Sequence, residues 1–331
     1  MLDNKTILIT GGTGSFGHHF VDYVFEHFKP KKVIIYSRDE YKQFLMSNEY
    51  KKYADILRFF IGDIRDGERL KRAMRGVDYV IHAAALKQVP ACEYNPNEAI
   101  KTNINGAMNI IETALDCDVK KVVALSTDKA VNPVNLYGAT KMVSDKLFCA
   151  ANSYRGESGT VFSVVRYGNV AGSRGSVIPF FKKLIDEGAG ELPITDMRMT
   201  RFWISLEQGV ELVIKALEEA NGGEVFISKI PSFKITDLAE AMLPGCALKE
   251  VGIRPGEKLH EVMITKEDSS HTYEYDKHYV IYPEYNSWGK TSIIEGGRIV
   301  DEGFEYSSGA NSQWLTVEDI KKLLKTDVSV H

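Results

Sequence analysis

Residues 126–141 read Ser-Thr-Asp-Lys-Ala-Val-Asn-Pro-Val-Asn-Leu-Tyr-Gly-Ala-Thr-Lys, which sets a hydroxyl, an acid and an amine at Thr127, Asp128 and Lys129 shortly before a Tyr137-x-x-x-Lys141 pair. Four residues apart on a helix, Tyr137 and Lys141 share one face, and an ammonium beside a phenol is expected to favour the phenolate and lower its pKa. Such a tyrosine can take the proton of a sugar or alcohol hydroxyl while hydride leaves the same carbon. Tyr-x-x-x-Lys alone is a weak signal, so its weight comes from the elements that position it.

The first of these elements is a nucleotide-type turn. Lys5–Thr10 is a short apolar run followed by Gly11-Gly12-Thr13-Gly14-Ser15-Phe16-Gly17 and a helix-like stretch from His18 to Phe28. Strand, glycine turn and helix come in the order that cradles a pyrophosphate, although the spacing is G-x-x-G-x-x-G and not G-x-G-x-x-G. Gly11 permits the tight turn, Gly14 brings backbone amides to the phosphates, and Gly17 lets helix and strand pack closely. Thr13, Ser15 and Phe16 belong to the same cradle. The next strand, Lys32–Tyr36, ends in Ser37-Arg38-Asp39-Glu40, where a dinucleotide's ribose is read. Ser37 and Arg38 point to the 2′-phosphate of NADP, with Lys42 one turn on, while Asp39 leaves NAD open. Arg58–Ile61 leads to Asp63 and Ile64, and Val77–Ile81 leads to His82 and the small residues Ala83, Ala84 and Ala85, which leave room for adenosine and nicotinamide ribose. Val122–Leu125 delivers Ser126 to Lys129 to a strand's carboxyl end, where ligands of open α/β sheets bind.

The alternation runs to Val161–Arg166 and then breaks in Tyr167-Gly-Asn-Val-Ala-Gly-Ser-Arg-Gly-Ser176, read as a hinge into a smaller lobe. We expect a doubly wound, Rossmann-type α/β domain over residues 1–168, and over 169–331 a substrate lobe with some segments returning to the first domain. Arginines recur in the lobe's Gly/Pro-rich loops, at Arg174, Arg201 and Arg254, and an arginine fork matches a diphosphate. The charge of −4 and the pI near 6 give no reason to expect nucleic acid. No apolar run is long enough to span a bilayer and the first strand starts near Met1, so a cytoplasmic enzyme without a signal peptide is expected. Cys92, Cys117, Cys149 and Cys246 lack C-x-x-C spacing, and the eight histidines form no ligand pattern. No disulfide framework and no metal are expected.

Taken together, these motifs resemble the extended short-chain dehydrogenase/reductases, and within them the 5-inverting UDP-N-acetylglucosamine 4,6-dehydratases. The resemblance spans nearly the whole chain and is carried by Tyr36-Ser-Arg-Asp-Glu40, Ile81-His-Ala-Ala-Ala85, Lys101-Thr-Asn-Ile104, the 126–141 string, Arg166-Tyr-Gly-Asn169, Gly172-Ser-Arg-Gly-Ser176, Arg198-Met-Thr-Arg-Phe-Trp203 and Arg254-Pro-Gly-Glu-Lys-Leu-His260. Gln88, after Lys87, departs from the histidine of those enzymes. The resemblance implies a tightly bound, recycled NADP that also meets Lys87, Asn103, Ser126, Tyr137 and Lys141, and a UDP-sugar held by Lys87, Asn169, Arg174, Ser176, Thr195, Met199, Arg201, Arg254 and Glu257.

It also implies the chemistry. Tyr137, helped by Lys141 and Thr127, removes the 4-hydroxyl proton as C4 is oxidised. Lys129 then removes the acidified C5 proton, provided burial or neighbouring positive charge lowers its pKa, and Asp128 assists loss of the C6 hydroxyl as water. Hydride return to C6 and reprotonation of C5 from the opposite face give UDP-2-acetamido-2,6-dideoxy-β-L-arabino-hexos-4-ulose, the first product of the pseudaminic acid pathway. Retaining relatives carry Thr-Asp-Glu where this chain has Thr127-Asp128-Lys129, and 4-epimerases lack the acid–base pair. A homo-oligomer, dimer or hexamer, is implied by the same likeness.

Overall fold

A computed structural model of the chain describes residues 1–156, 159–170, 172, 176–284 and 293–326. Five strands that the apolar runs predict open the fold: β1 (Thr6–Thr10), β2 (Lys32–Ser37), β3 (Leu57–Ile61), β4 (Tyr79–His82) and β5 (Lys121–Thr127), followed by β6 (Val161–Tyr167). Every residue of β1 and nearly every residue of β2, β5 and β6 is buried, as continuous β-branched runs covered on both faces must be.

All of these strands pair in parallel, in the order β3-β2-β1-β4-β5-β6. The chain winds outward from β1 to β3 and then restarts on β1's other side at β4. That reversal opens a crevice at the carboxyl ends of β1 and β4, the place where a doubly wound sheet binds its ligand. Helix α1 (Ser15–His27) starts at the crevice directly after β1, and helix Leu136–Ala151 brings Tyr137 to it after β5.

Beyond residue 169 the chain does two things. It builds a second apolar cluster around Phe181, Leu192, Ile194, Trp203, Phe233, Leu238 and Ile320, which is the core of the lobe. It also returns to the main sheet, where Val225–Ser228 runs parallel beside β6 and His278–Ile281, Thr272–Glu274 and Arg298–Ile299 extend the edge antiparallel. Among the described residues the sheet has ten strands. The lobe's short sheets pair Glu191–Ile194 with Ala247–Glu250 and Thr200–Phe202 with Ser232–Lys234. The closing helix, Val317–Thr326, is capped by Thr316, whose Oγ1 accepts from the Asp319 N–H at 3.2 Å.

Candidate active site

A cleft of about 1480 Å³ runs from the glycine turn across the ends of β1, β4 and β5 to the lobe. This exceeds the roughly 300–1,000 Å³ of a pocket for one small molecule and suits two large ligands side by side. Its nucleotide end is shaped by backbone. Gly11 sits at φ +67°, and a Cβ there would lie 2.9 Å from the Ala84 backbone, so β1 turns tightly against the segment after β4. A Cβ on Gly17 would lie 2.1 Å from the Gly12 carbonyl, which keeps Gly17 out of the cleft as the contact of α1 with its own turn. Gly14 caps α1 without a side-chain bond, so the first-turn amides and the positive end of the helix face the cleft beside Thr13, Ser15 and Phe16. Such a cradle fits the pyrophosphate of a dinucleotide.

Around the expected ribose position, Ser37 is buried and accepts a hydrogen bond from Gln43 Nε2 at 3.0 Å. Arg38 is more than half exposed, 3.8 Å from Asp63, with no closer ion pair among the described residues. Asp39 caps helix α2 (Glu40–Glu49) by accepting from the Lys42 N–H, and its carboxylate meets Lys42 Nζ at 3.1 Å. Asp63 is held by Arg65 at 2.7 Å. Ile64 and the Ala83–Ala85 wall complete this end.

The catalytic string is folded by two local devices. Thr127 ends β5 and its hydroxyl accepts from the Lys129 N–H, closing a 3₁₀ turn over Asp128–Ala130. Asn135 caps helix Leu136–Ala151 by accepting from the Gly138 N–H at 2.8 Å, and its amide donates to the Gly256 carbonyl of the lobe. A Cβ on Gly138 would lie 2.1 Å from the Lys129 carbonyl oxygen, so only glycine lets the helix start press against the Lys129 turn. Ser126 donates to Asp145 Oδ2 at 2.6 Å, one helical turn beyond Lys141. Lys129 Nζ lies 3.0 Å from Asp128 Oδ1, 3.2 Å from Asn169 Oδ1 and 3.5 Å from Glu261 Oε1.

These contacts overturn two electrostatic expectations. Burial pushes the Tyr137 phenol up to about 12, against the opposing pull of Lys129 and a Thr127 hydrogen bond. Desolvation outweighs the nearby charge, and Lys129 is the cation with the largest pull on the phenol. Lys141 is itself lowered by burial, opposed by Asp145. Burial likewise pulls the Lys129 ammonium down, but Asp128 and Glu261 more than offset it, and its pKa lies above the ordinary lysine value. The condition under which Lys129 is a ready base is therefore not met in the resting site; it rests as an ammonium.

Of the remaining expected residues, Lys87, Asn169, Ser176, Thr195, Met199, Arg201, Arg254 and Glu257 all line the cleft. Ser176 starts helix Val177–Asp186 without a side-chain cap, and its buried hydroxyl has no partner among the described residues. Arg201 is buried and gives Nη1 to the Thr200 and Leu259 carbonyls. Among the described residues, eight cations line the cleft against four acids in a chain of charge −4, a balance suited to phosphate-bearing ligands. Arg174, with Ala171, Ser173 and Gly175, lies outside the described residues.

Residues 7–283 match the model of the polysaccharide biosynthesis protein family. The chain belongs to that family. It is 57% identical over 330 residues, 98% of each chain, to a UDP-N-acetylglucosamine 4,6-dehydratase (inverting) of Campylobacter jejuni. A UDP-glucose 4-epimerase of Rickettsia canadensis is 42% identical over 98% of this chain and 97% of its own. Among solved structures, Pen from Bacillus thuringiensis matches with a TM-score of 0.90 at 38% identity over 98% of each chain. A double mutant of DesIV, a dTDP-glucose 4,6-dehydratase from Streptomyces venezuelae with NAD and DAU bound, matches with 0.66 at 25% identity over 76% of this chain and 86% of that one.

Within this member of the polysaccharide biosynthesis family, three expected site residues stand back from the cleft. Gly17 is a packing contact. Asn103 is buried and spends its amide on Leu86 and on Thr140 Oγ1, tying the segment after β4 to the Tyr137 helix. Asp128 is fully buried behind Lys129, with Oδ1 taken by Thr127 and Lys129 and Oδ2 without a hydrogen bond among the described residues. Two charged residues in the cleft escaped the sequence reading. Glu261 reaches it from the lobe, buried, and Lys258 reaches it with Nζ on the Val131 carbonyl. Both lie in the Arg254–Glu261 run, where the only signal was charge inside a Gly/Pro loop.

Proposed function

We propose that the chain is a hydro-lyase converting UDP-N-acetylglucosamine to UDP-2-acetamido-2,6-dideoxy-β-L-arabino-hexos-4-ulose with inversion at C5, and that it uses NADP. The observation that carries this reading is an amine, Lys129, at the carboxyl end of β5, in the same cleft as Tyr137 and in contact with Asp128. The 57% identity to an inverting dehydratase over the whole chain supports it. Bound nicotinamide supplies a hydride acceptor for C4 and the hydride donor for C6, so it is unchanged over a turnover.

The chain's own residues do the rest. The α1 amides hold the dinucleotide pyrophosphate, and Ser37 and Arg38 take the 2′-phosphate that distinguishes NADP. Arg201, Arg254 and the uncapped start of helix Val177–Asp186 receive the UDP diphosphate. Tyr137 takes the C4 hydroxyl proton, its phenolate aided by the Thr127 hydroxyl and the Lys129 charge. Lys129, once free of its proton, removes the C5 proton that the 4-ketone has acidified. Asp128, in contact with Lys129 and Thr127, completes the proton path by which the C6 oxygen leaves as water. The product enters pseudaminic acid biosynthesis, and the enzyme works in the cytoplasm as a homo-oligomer.

The 42% identity to a UDP-glucose 4-epimerase favours one second reading, because an epimerase would use the same Tyr137 and Lys141 without losing water. Proton NMR of the protein with UDP-N-acetylglucosamine in deuterated water decides between them. A new C6 methyl signal with L-arabino couplings and deuterium at C5 is the expected result. D-xylo couplings indicate retention, and a product of unchanged mass indicates the epimerase.

A further inference from the structure

Glu261 is a buried carboxylate that the scheme above leaves idle. It reaches the cleft from the lobe, 132 positions beyond Lys129, and its main chain is fixed on both sides: Ser308 Oγ accepts from the Glu261 N–H at 2.9 Å, and the Ser308 N–H donates to the Glu261 carbonyl at 2.8 Å. Its Oε1 lies 3.5 Å from Lys129 Nζ and 3.7 Å from Arg201 Nε, while Oε2 is buried without a hydrogen bond among the described residues. A buried carboxylate with an oxygen unpaired is a poor way to fill space, since an apolar side chain of that size would do so at lower free energy. Costly charge kept in a cleft is the mark of a functional group.

We infer that Glu261 is the positioning residue for Lys129, holding its amine toward the cleft and setting the pH at which that amine is free to take the C5 proton. The inference deepens the proposed reaction and rests on Lys129 as its base. Other groups also act on Lys129: Asp128 from its own turn, Tyr137 from the following helix, Lys87 from the segment after β4, Arg201 from strand Thr200–Phe202 and Lys258 from the lobe loop. Asp128 and Glu261 are the acids among them. Asp128 is fixed beside Lys129 by sequence, so Glu261 is the carboxylate that lobe packing brings to the amine. Its effect on Lys129 agrees in direction with the raised lysine pKa.

The test is the pH dependence of C5 solvent exchange in the purified 4-keto product, which bypasses C4 oxidation. Wild-type exchange is expected to rise with pH as Lys129 loses its proton. In Glu261→Gln the same rise is expected about one pH unit lower, which is about tenfold more free amine at a given pH below it. Glu261→Asp, which keeps the charge but withdraws it by one methylene, is expected to show a smaller shift, and serves as the test should the glutamine variant not fold. Lower exchange at every pH with the rise unmoved would reduce Glu261 to a structural role and overturn the inference. If the wild type shows no exchange, the proposed reaction itself fails. In that event the Lys129 amine is titrated directly by NMR of protein carrying ε-¹³C-lysine, assigned with Lys129→Arg. An equal midpoint in wild type and Glu261→Gln would then also overturn the inference.

Discussion

At the residue scale, the site is a contest between desolvation and local charge. Tyr137, at about 12, needs its proton drawn off during the reaction, so Tyr137→Phe is expected to lower kcat by about 10²–10⁴ while bound cofactor, read by absorbance, is unchanged. Lys129→Ala is expected to abolish C5 deuterium exchange and leave cofactor content intact; persistent exchange would remove Lys129 from its role. Lys129 also links pH to stability. Its folded pKa is raised, so its stabilising contribution is complete below the unfolded value of about 10.4 and is lost as pH rises through the folded value. Alkaline denaturation should therefore come earlier in the wild type than its neutral-pH stability suggests, and Lys129→Met should flatten that alkaline fall in Tm. Arg38 makes a long contact, 3.8 Å, to Asp63, so Arg38→Ala is expected to weaken NADP binding about tenfold and NAD binding little, by fluorescence titration.

At the scale of elements, the catalytic geometry depends on how helix Leu136–Ala151 begins. The Gly138 position touches the Lys129 carbonyl, so Gly138→Ala forces helix and turn apart. The expected loss is about 1–3 kcal/mol by denaturant unfolding, together with a drop in kcat, because Tyr137 and Lys129 are displaced from one another. Asn135→Ala removes the cap and the tie to Gly256, with an expected loss of about 1 kcal/mol and a rise in KM larger than the fall in kcat, since the Gly256 loop carries Arg254 and Glu257.

For the whole molecule, the two halves of the chain are not independent bodies. Strand Val225–Ser228 covers the outer edge of β6, and helix Leu206–Glu219 packs against α1 and the sheet. A fragment ending at residue 168 would leave that edge and the apolar face beside it open, so it is expected to aggregate and to lack a cooperative melting transition by circular dichroism. The cleft too is made by both halves, Lys129 and Tyr137 from the first and Arg201 and Glu261 from the second.

The sequence alone determined the parallel sheet, the glycine turn, the ordering of strands and helices and the position of the 126–141 string, because each rests on local pattern: continuous β-branched runs, glycine spacing, and a four-residue step on one helix. Tertiary structure alone decided which charges meet. The family resemblance implied a cofactor contact for Asn103 and a reacting role for Asp128; Asn103 is a satisfied internal brace, and Asp128 lies buried behind Lys129. Burial raises the Tyr137 phenol, whereas burial lowers the Lys129 ammonium and is more than offset by its neighbour Asp128 and by Glu261, a carboxylate 132 residues away. Spacing along the chain reports neighbours on one element; desolvation and long-range ion pairs belong to the packed molecule and leave no trace in it.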